Sequence, residues 1–405
     1  MPRVLGFIMA GGKGERLFPL TRERSKPAVP FAGKYRIIDF VLSNFVNSGI
    51  RSIYVLVQYK SQSLIEHLRV AWPSTGLTSE HFITLVPPQQ RFVGEALYRG
   101  TADAISQNLN LVRDFDPDLV IVFGADHIYR MDIRNMIDVH LKNGAEATIA
   151  CISVPIQDAK GFGVAGTDAN GRIIEWVEKS QNPPHIPGDP TRAYASMGNY
   201  VFSRGALEEM LYEDCRRSTD HDFGRTIVPE MIPRGKVYAF DFNCAPVEGT
   251  LATEEPGYWR DVGTLEAYWA AHMDCLGKDP KFNLFNRRWP IRTGASNLAP
   301  VEITNSNIFD CLIGEGGNIE GSHVKRSVLG RGVVIQPGCE IEDSIIMDYT
   351  TVGAGTKMKR CIIDRHNSIP KDLTIGFDNI ADRRRGFHYD KAGLTVMARG
   401  STRVG

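Results

Sequence analysis

The sequence of 405 residues contains no C-x-x-C pair. Its seven cysteines (Cys151, Cys215, Cys244, Cys275, Cys311, Cys339 and Cys361) are scattered and odd in number. This spacing argues against a disulfide framework or a zinc site and fits a reducing cytoplasm. There is also no apolar run of about 18 residues, the length a membrane-crossing helix needs. The start, Met-Pro-Arg, runs straight into an apolar strand without the layout of a secretory leader. The expectation is a cytoplasmic protein with no membrane partner. An excess of one charge is missing too: Lys plus Arg and Asp plus Glu each total 47. No charge imbalance advertises nucleic acid, so any polyanion handled here is small and met at a local site.

What is present is enough apolar residue, 42% of the chain, for a large core in two or three domains. Val4 to Ala10, Ser52 to Gln58, Leu119 to Gly124 and Ala147 to Val154 are short apolar or β-branched runs. Between them Ile37 to Asn47, Leu64 to Ala71 and Ala102 to Val112 carry apolar residues at helical spacing. The alternation predicts an α/β domain over residues 1–278, a mostly parallel sheet with helices on both faces. Ligands of such sheets bind beyond the carboxyl ends of the strands, so the residues that follow each strand carry the chemistry.

The tail has another rhythm. Ile313, Ile319, Val324, Leu329, Ile335, Ile341, Ile346, Val352, Met358, Ile363, Ile369 and Ile375 recur at steps of five or six, about 17 residues per turn. Neither a 3.6-residue helix nor a two-residue strand period explains this. Hexapeptide periodicity predicts a parallel β-helix, here of roughly four coils over 304–405. Residues 279–303, rich in Pro, Asn and basic residues, read as a linker.

After the first strand comes "MAGGKGERLFPLTRERSKPAVPF", residues 9–31. It matches neither the Walker loop nor the dinucleotide fingerprint, and a bare structural turn is one reading of it. Arg16 and Lys26, two cations on one glycine turn, favour a polyphosphate instead. Asp126, in "GADHIYRMD", and Asp261, before a helix that Thr264 can cap, are each weak signals alone. Together they could hold one Mg²⁺, which needs only one or two carboxylates beside substrate phosphates. A hairpin turning at Asp168 to Gly171 delivers Glu178 and Lys179; Lys179 is either a solvated side chain or a monophosphate ligand.

The segments "AGGKGERLFPLTRERSKPAVPFAGKYRIIDF", "YRGTADAI", "GADHIYRMD", "EWVEKS", "SMGNYVFS", "HDFG" and "YWRDVGTLEAYW", followed by hexapeptide repeats, closely resemble bacterial glucose-1-phosphate adenylyltransferases, also called ADP-glucose pyrophosphorylases. The likeness runs over nearly the whole chain. It implies a Rossmann-like nucleotidyltransferase sheet followed by a left-handed β-helix with regulatory and oligomerisation roles. It implies ATP and α-D-glucose 1-phosphate as substrates, ADP-glucose and pyrophosphate as products, and a place in glycogen synthesis. Carried over, Gly11, Gly12 and Gly14 would line the nucleotide phosphates and Arg16 and Lys26 the triphosphate. Gln90, Tyr98, Gly100 and Thr101 would hold the nucleotide. Gly163, Glu178, Lys179, Ser196 and Asp222 would surround the sugar phosphate, and Asp126 and Asp261 would bind Mg²⁺, with Asp126 catalytic.

The resemblance further implies a homotetramer controlled by anionic metabolites, with Arg36 and Arg365 at effector positions. One departure bears on that control: Glu23 stands where several relatives place an activator-binding lysine, which disfavours a sugar bisphosphate. Ser180 after Glu178 and Lys179, where proline is commoner, is a smaller one. Other readings are a uridylyl-, thymidylyl- or guanylyltransferase, an acyltransferase using His323 or His366 on the β-helix, and a non-catalytic scaffold.

Overall fold

In the computed structural model, which describes residues 2–73, 81–89 and 97–400, the first apolar run becomes the central strand of a nine-stranded sheet. That strand, β1 (Val4–Ala10), leads through a glycine loop to a small hairpin, β2 (Pro30–Phe31) and β3 (Tyr35–Arg36). Then come α1 (Ile37–Asn47), β4 (Ser52–Val57), α2 (Gln62–Ala71) and β5 (Phe82–Val86). Next are α3 (Thr101–Ser106), α4 (Leu109–Phe115), β6 (Leu119–Gly124), β7 (His127–Tyr129), α5 (Ile133–Lys142) and β8 (Ala147–Pro155). The hairpin β9 (Gly163–Thr167) and β10 (Ile173–Glu178) precedes β11 (Arg192–Ser203), α6 (Arg204–Cys215) and α7 (Val228–Met231). Last come β12 (Val237–Asp241), β13 (Trp259–Asp261) and α8 (Leu265–Met273).

The strand order places β4 and β5 on one side of β1 and β6 on the other, all parallel. The order therefore reverses at β1, and a crevice opens between the carboxyl ends of β1 and β6, where such sheets take ligands. Beyond β6 the sheet is mixed, because β11 runs antiparallel to β6, β8 and β9. β1 and β6 read as continuous apolar runs because both their faces are covered. Phe45, Ile53 and Met136 belong to the core on one face, and Phe7, Val122 and Leu207 to the core on the other.

The single helix expected over 102–112 is two helices. Asn108 interrupts it at φ −115°, ψ 18°, and its amide donates to the Ala104 carbonyl at 2.8 Å and to the Tyr98 hydroxyl at 3.1 Å. An Asn side chain that bonds nearby backbone competes with the helix ladder, and here it ends one helix and starts the next.

The repeats form a three-sided parallel β-helix with one coil more than the periodicity indicates. Ile303, Ile319, Ile335, Val352 and Ile369 stack in register on one side, and Ile308, Val324, Ile341, Met358 and Ile375 on another. The first coil, with strands Glu302–Thr304 and Asn307–Phe309, keeps the same step at Ile303 and Ile308 but is largely exposed because it ends the stack. Corners turn through left-handed residues such as Asp310, Arg326, Asp343 and Arg360. After Ile375 the chain leaves through a short helix, Asn379–Arg384, and returns with Thr395–Met397 to pair with Cys361–Ile363 on the third side.

That third side is apolar on both surfaces. Leu329, Ile346, Ile363 and Met397 fill the coil interior, whereas Val328, Ile345, Ile362 and Val396 join a core with Leu17, Phe31, Tyr268 and Leu276 of the first domain. The second side instead presents His323, Lys325, Glu340, Glu342, Lys357 and Lys359, paired across neighbouring coils. Residues 278–301 have no helix or strand but are no slack tether: Phe282, Trp289 and Ile291 are buried, and α1 holds the segment through Asn47 to the Pro290 carbonyl (2.9 Å) and Ser43 to the Arg292 N–H (2.8 Å).

Two expectations follow, one at this seam and one from buried histidines, His272 and His140, the latter on α5 beside Thr148 and Ser203. Gly33 has φ +74°, and a methyl there would lie 2.7 Å from the Leu329 carbonyl of the β-helix. Gly33→Ala is expected to destabilise the protein by about 1–3 kcal/mol, read as a lower urea midpoint. His272 is fixed neutral, its Nδ1–H donating to the Tyr268 carbonyl (2.8 Å) and its Nε2 accepting from the Ala32 N–H (3.1 Å). Burial pushes His272 down to about 3 and His140 down to about 4, from 6.5. Because the folded values are depressed, the unfolded chain takes up protons first. Stability is thus full above pH 6.5 and lost as pH falls toward 4 and 3. Urea midpoints measured across this range are expected to fall with pH, and His140→Gln to flatten the slope whatever it does to the midpoint.

Candidate active site

At the crevice, β1 ends and the chain turns through Gly11, Gly12, Lys13 and Gly14. Gly14 is left-handed at φ +64°, its carbonyl accepts from the Thr21 hydroxyl at 2.9 Å, and a methyl on it would meet Lys26 Cβ at 3.1 Å. The Lys60 ammonium holds the same turn from the end of β4, donating to the Thr21 carbonyl at 2.7 Å. A side chain at Gly12 would meet nothing within 4 Å, so the loop is open above its middle.

Lys26, buried on a short helical turn, aims its Nζ between two carboxylates: 2.9 Å from Asp126 Oδ2 and 2.8 Å from Asp261 Oδ1. Asp126 follows β6 and Asp261 ends β13. The antiparallel pairing of β13 with β7, Asp261 opposite His127, brings these distant acids together. The outer oxygens face His127 Nε2, 3.4 Å from Asp126 Oδ1, and Arg16 Nη2, 3.8 Å from Asp261 Oδ2. Burial works against ionising Asp126, but the neighbouring His127 and Lys26 charges, with the Lys26 hydrogen bond, hold its carboxyl below the usual range. Burial lowers His127 itself, so at neutral pH the cation responsible is Lys26. Burial would also lower Lys26, yet the two carboxylates raise it. Asp126, His127 and Asp261 offer ligand atoms all within 4.8 Å of one another. Two carboxylates suit a hard divalent ion that fills its remaining positions with water and substrate oxygens.

The crevice widens into a cavity of about 950 Å³. Its lining includes Gly11, Gly12, Gly14, Arg16, Lys26 and Asp126, the segment Tyr98, Gly100 and Thr101, and Gly163, Glu178, Ser196 and Asp222. Asp261 touches the site through Lys26 without lining the cavity. Lys179 is exposed at φ +51°, next to Glu178 but outside the lining. Burial pushes the Glu178 carboxyl up, and Lys179 counters it in part. Asp222 is engaged in structure as well: its Oδ1 accepts from the Gly224 (2.9 Å) and Arg225 (3.1 Å) N–H groups and its Oδ2 from the Thr101 hydroxyl (2.9 Å). Gln90 lies outside the described residues.

Three residues were passed over in the sequence. His127 stood beside Asp126 in the quoted motif, and its burial against Trp259, ring centroids 4.8 Å apart, gave no sequence signal. Gln58 brackets the Tyr98 backbone, accepting from its N–H at 3.1 Å and donating to its carbonyl at 3.4 Å. It follows β4 at the same sheet edge, so the strand-end rule could have found it. Trp176, in "EWVEKS", lines the cavity and packs over Gly163, where a Cβ would meet its ring at 2.7 Å.

Arg36 and Arg365 are far apart in sequence but share the seam between the domains with Arg24. Arg24 pairs with Asp364 of the β-helix, and Arg36 donates to the Ala28 carbonyl at 2.6 Å. Burial, then the charges of Arg36 and Arg24, pull Arg365 down to about 9. Among the described residues, Arg24 Nη1 and Arg365 Nε are buried without a hydrogen-bond partner. Crowded, incompletely paired guanidinium groups concentrate positive charge at this seam.

The chain matches the nucleotidyl transferase family over residues 5–278 and the GlmU-like C-terminal hexapeptide family over residues 297–397. The second match accords with a β-helix of the left-handed kind. Among curated relatives, the glucose-1-phosphate adenylyltransferase of Thermodesulfovibrio yellowstonii is 47% identical over 98% of this chain and 97% of its own length. That of Anaeromyxobacter sp. is 46% identical over 98% of both chains, and that of Aliivibrio fischeri 44% identical over the full length of both. With the glycine loop, the carboxylate-bound lysine and the β-helix in one chain, and relatives of this similarity over their whole length, the protein belongs to the glucose-1-phosphate adenylyltransferase family of nucleotidyl transferases.

Proposed function

We propose that this chain joins ATP to α-D-glucose 1-phosphate, releasing pyrophosphate and forming ADP-glucose. The observation that carries the reading is the Lys26 ammonium between Asp126 and Asp261 at the glycine loop, in a cavity whose lining also includes Glu178, Ser196 and Asp222. The polarity of the cavity suits two phosphorylated ligands end to end.

The sugar phosphate brings its own nucleophilic oxygen, so no catalytic serine or strong base is needed. That oxygen attacks the α-phosphorus as the bond to the bridging oxygen of pyrophosphate breaks on the opposite side. The protein's task is to align two anions that repel each other and to neutralise charge on the transferring group. Gly12 leaves the backbone open to the triphosphate, and Arg16 and Lys26 supply cations on that side. Lys179, exposed and free to swing, is assigned to the sugar phosphate. Asp126 and Asp261 would hold Mg²⁺, which when bound supplies charge neutralisation at the phosphates. Tyr98, fixed by Gln58 and Asn108, and Gly100 with Thr101 are assigned to the nucleotide base and ribose side.

Regulation and assembly extend the proposal. The Arg24, Arg36 and Arg365 cluster is assigned to an anionic metabolite, and the chain to a homotetramer. Glu23 is held between Arg22 (3.3 Å) and Arg399 (3.9 Å) beside that cluster, and its carboxylate disfavours a second phosphate there. The seven free cysteines accord with a cytoplasmic site of action.

A different nucleotide is the second enzymatic reading. Measuring pyrophosphate release with each nucleoside triphosphate and glucose 1-phosphate decides between them, and a preference for UTP, TTP or GTP would overturn the adenylyl reading. An acyltransferase is disfavoured because His323 is exposed beside Asn307 and His366 stacks on Tyr349, ring centroids 5.4 Å apart.

Asp126→Asn is expected to lower kcat by about 10²- to 10³-fold, the order of one lost preorganised transition-state contact. Near-normal turnover with folding intact would refute the assignment of Asp126. Lys179→Gln is expected mainly to raise the Michaelis constant for glucose 1-phosphate, with that for ATP little changed.

A further inference from the structure

One buried cluster of polar and titratable groups has no part in the mechanism above: Asp214 in the last turn of α6, with Thr219 and His221. His221 Nδ1 lies 2.7 Å from Asp214 Oδ2, and both side chains are almost wholly buried. The Thr219 hydroxyl donates to Asp214 Oδ1 and accepts from the His221 backbone N–H at 3.1 Å. Two side chains, Asp214 and Thr219, are thus spent on His221, which is left-handed, with φ +48°. This conformation is uncommon for a non-glycine residue, and the hydrogen bonds to Asp214 and Thr219 hold His221 in it.

What the conformation achieves lies on its other side. The His221 carbonyl accepts from the Ala102 (2.8 Å) and Asp103 (3.2 Å) N–H groups, closing the first turn of α3. It crosses Gly100 so closely that a methyl there would stand 2.2 Å from the carbonyl oxygen. The next residues continue the lacing: Thr101 donates to Asp222 Oδ2 at 2.9 Å and accepts from the Phe223 N–H at 3.0 Å. Gly100, Thr101, Asp222 and Phe223 all line the cavity.

We infer that the buried Asp214–Thr219–His221 cluster is a positioning element that sets the nucleotide-side and sugar-side walls of the cavity in register. The inference rests on the proposed reading of those walls. None of the three residues lines the cavity, so the cluster acts through the carbonyl of His221 and through Asp222. Loss of the cluster lets both walls shift together.

The test is steady-state pyrophosphate release by the full chain, with ATP varied at saturating glucose 1-phosphate and the reverse, beside a thermal melt. The variants are His221→Ala, His221→Asn and Thr219→Val. His221→Ala is expected to raise both Michaelis constants about tenfold, the effect of about one hydrogen bond weakened at each wall, with kcat moving less than either. His221→Asn is expected to return both to near wild type, because Asn tolerates left-handed backbone and its amide can donate to Asp214. Thr219→Val should move both constants in the same direction by a smaller factor. If His221→Ala does not fold, the other two variants decide. Variants that lower the melting temperature while both constants stay put, or that move only one of them, overturn the positioning role. So does an Asn variant no better than Ala. A wild-type chain that releases no pyrophosphate with any nucleotide overturns the functional reading, and the inference with it, before a variant is compared.

Discussion

A single buried ammonium holds the catalytic end of this molecule together. Asp126 ends one strand of the central sheet and Asp261 belongs to a small outlying ribbon, and without a cation between them two carboxylates at this distance repel. Lys26 supplies that cation from a third segment, the turn after the glycine loop. The ion pair is asymmetric in solvation: the lysine is buried and the carboxylates are part-exposed. Breaking it therefore costs less than the roughly 3–5 kcal/mol of a fully buried pair. The geometric consequence is larger than the energetic one, since loop, sheet edge and ribbon lose their common point.

The same stretch of chain faces the other domain. Arg24, two residues before Lys26, pairs with Asp364 of the β-helix. Phe31, a little further on, belongs to the shared core, Gly33 touches the Leu329 backbone and Arg36 joins the arginine cluster. Between Arg24 and Lys26 there is only Ser25, on a helical turn with Pro27 inside it. A change in the charge balance around Arg24 thus acts on the residue that carries Lys26 through two peptide units. This physical continuity does not require a path through the protein interior, and on the proposed reading it would give an anion bound at the seam a short reach to Lys26.

Much of this was legible in the sequence, for reasons that differ by region. The strands β1, β4, β6 and β8 were readable because covered parallel strands are continuous apolar runs bounded by polar turns. Inner β-helix coils were readable because each must present an aliphatic residue to the coil below. The outermost coil keeps the aliphatic step at Ile303 and Ile308, but as the end of the stack it leaves Ile303 exposed. The break at Asn108 was hidden because it comes from a side-chain hydrogen bond that the apolar period does not record. In the site, Gly11, Gly12, Gly14, Arg16, Lys26 and Asp126 were found together because they follow adjacent strand ends. The lysine's double pairing was not foreseen, since it depends on β13 pairing with β7. Lys179 stands just past the end of its hairpin strand, as expected, but outside the cavity lining.

Charge at the nucleotide end also bears on how a triphosphate is accepted. Lys26 is matched by two carboxylates, so the three groups together carry one net negative charge, and Arg16 brings the set only to neutrality. A triphosphate entering here meets no net positive field from the residues nearest its phosphates. Backbone N–H groups of an open glycine loop offset part of the repulsion, but they carry partial charges only. On the proposed reading, a divalent cation arriving with the nucleotide would be held by Asp126 and Asp261 and would supply positive charge, so that the carboxylates would serve as ligands. Lys26 and Arg16 balance the acidic pair by themselves, and a further cation is called for only when phosphates add their own charge; on this reading divalent-ion binding is expected to accompany nucleotide binding.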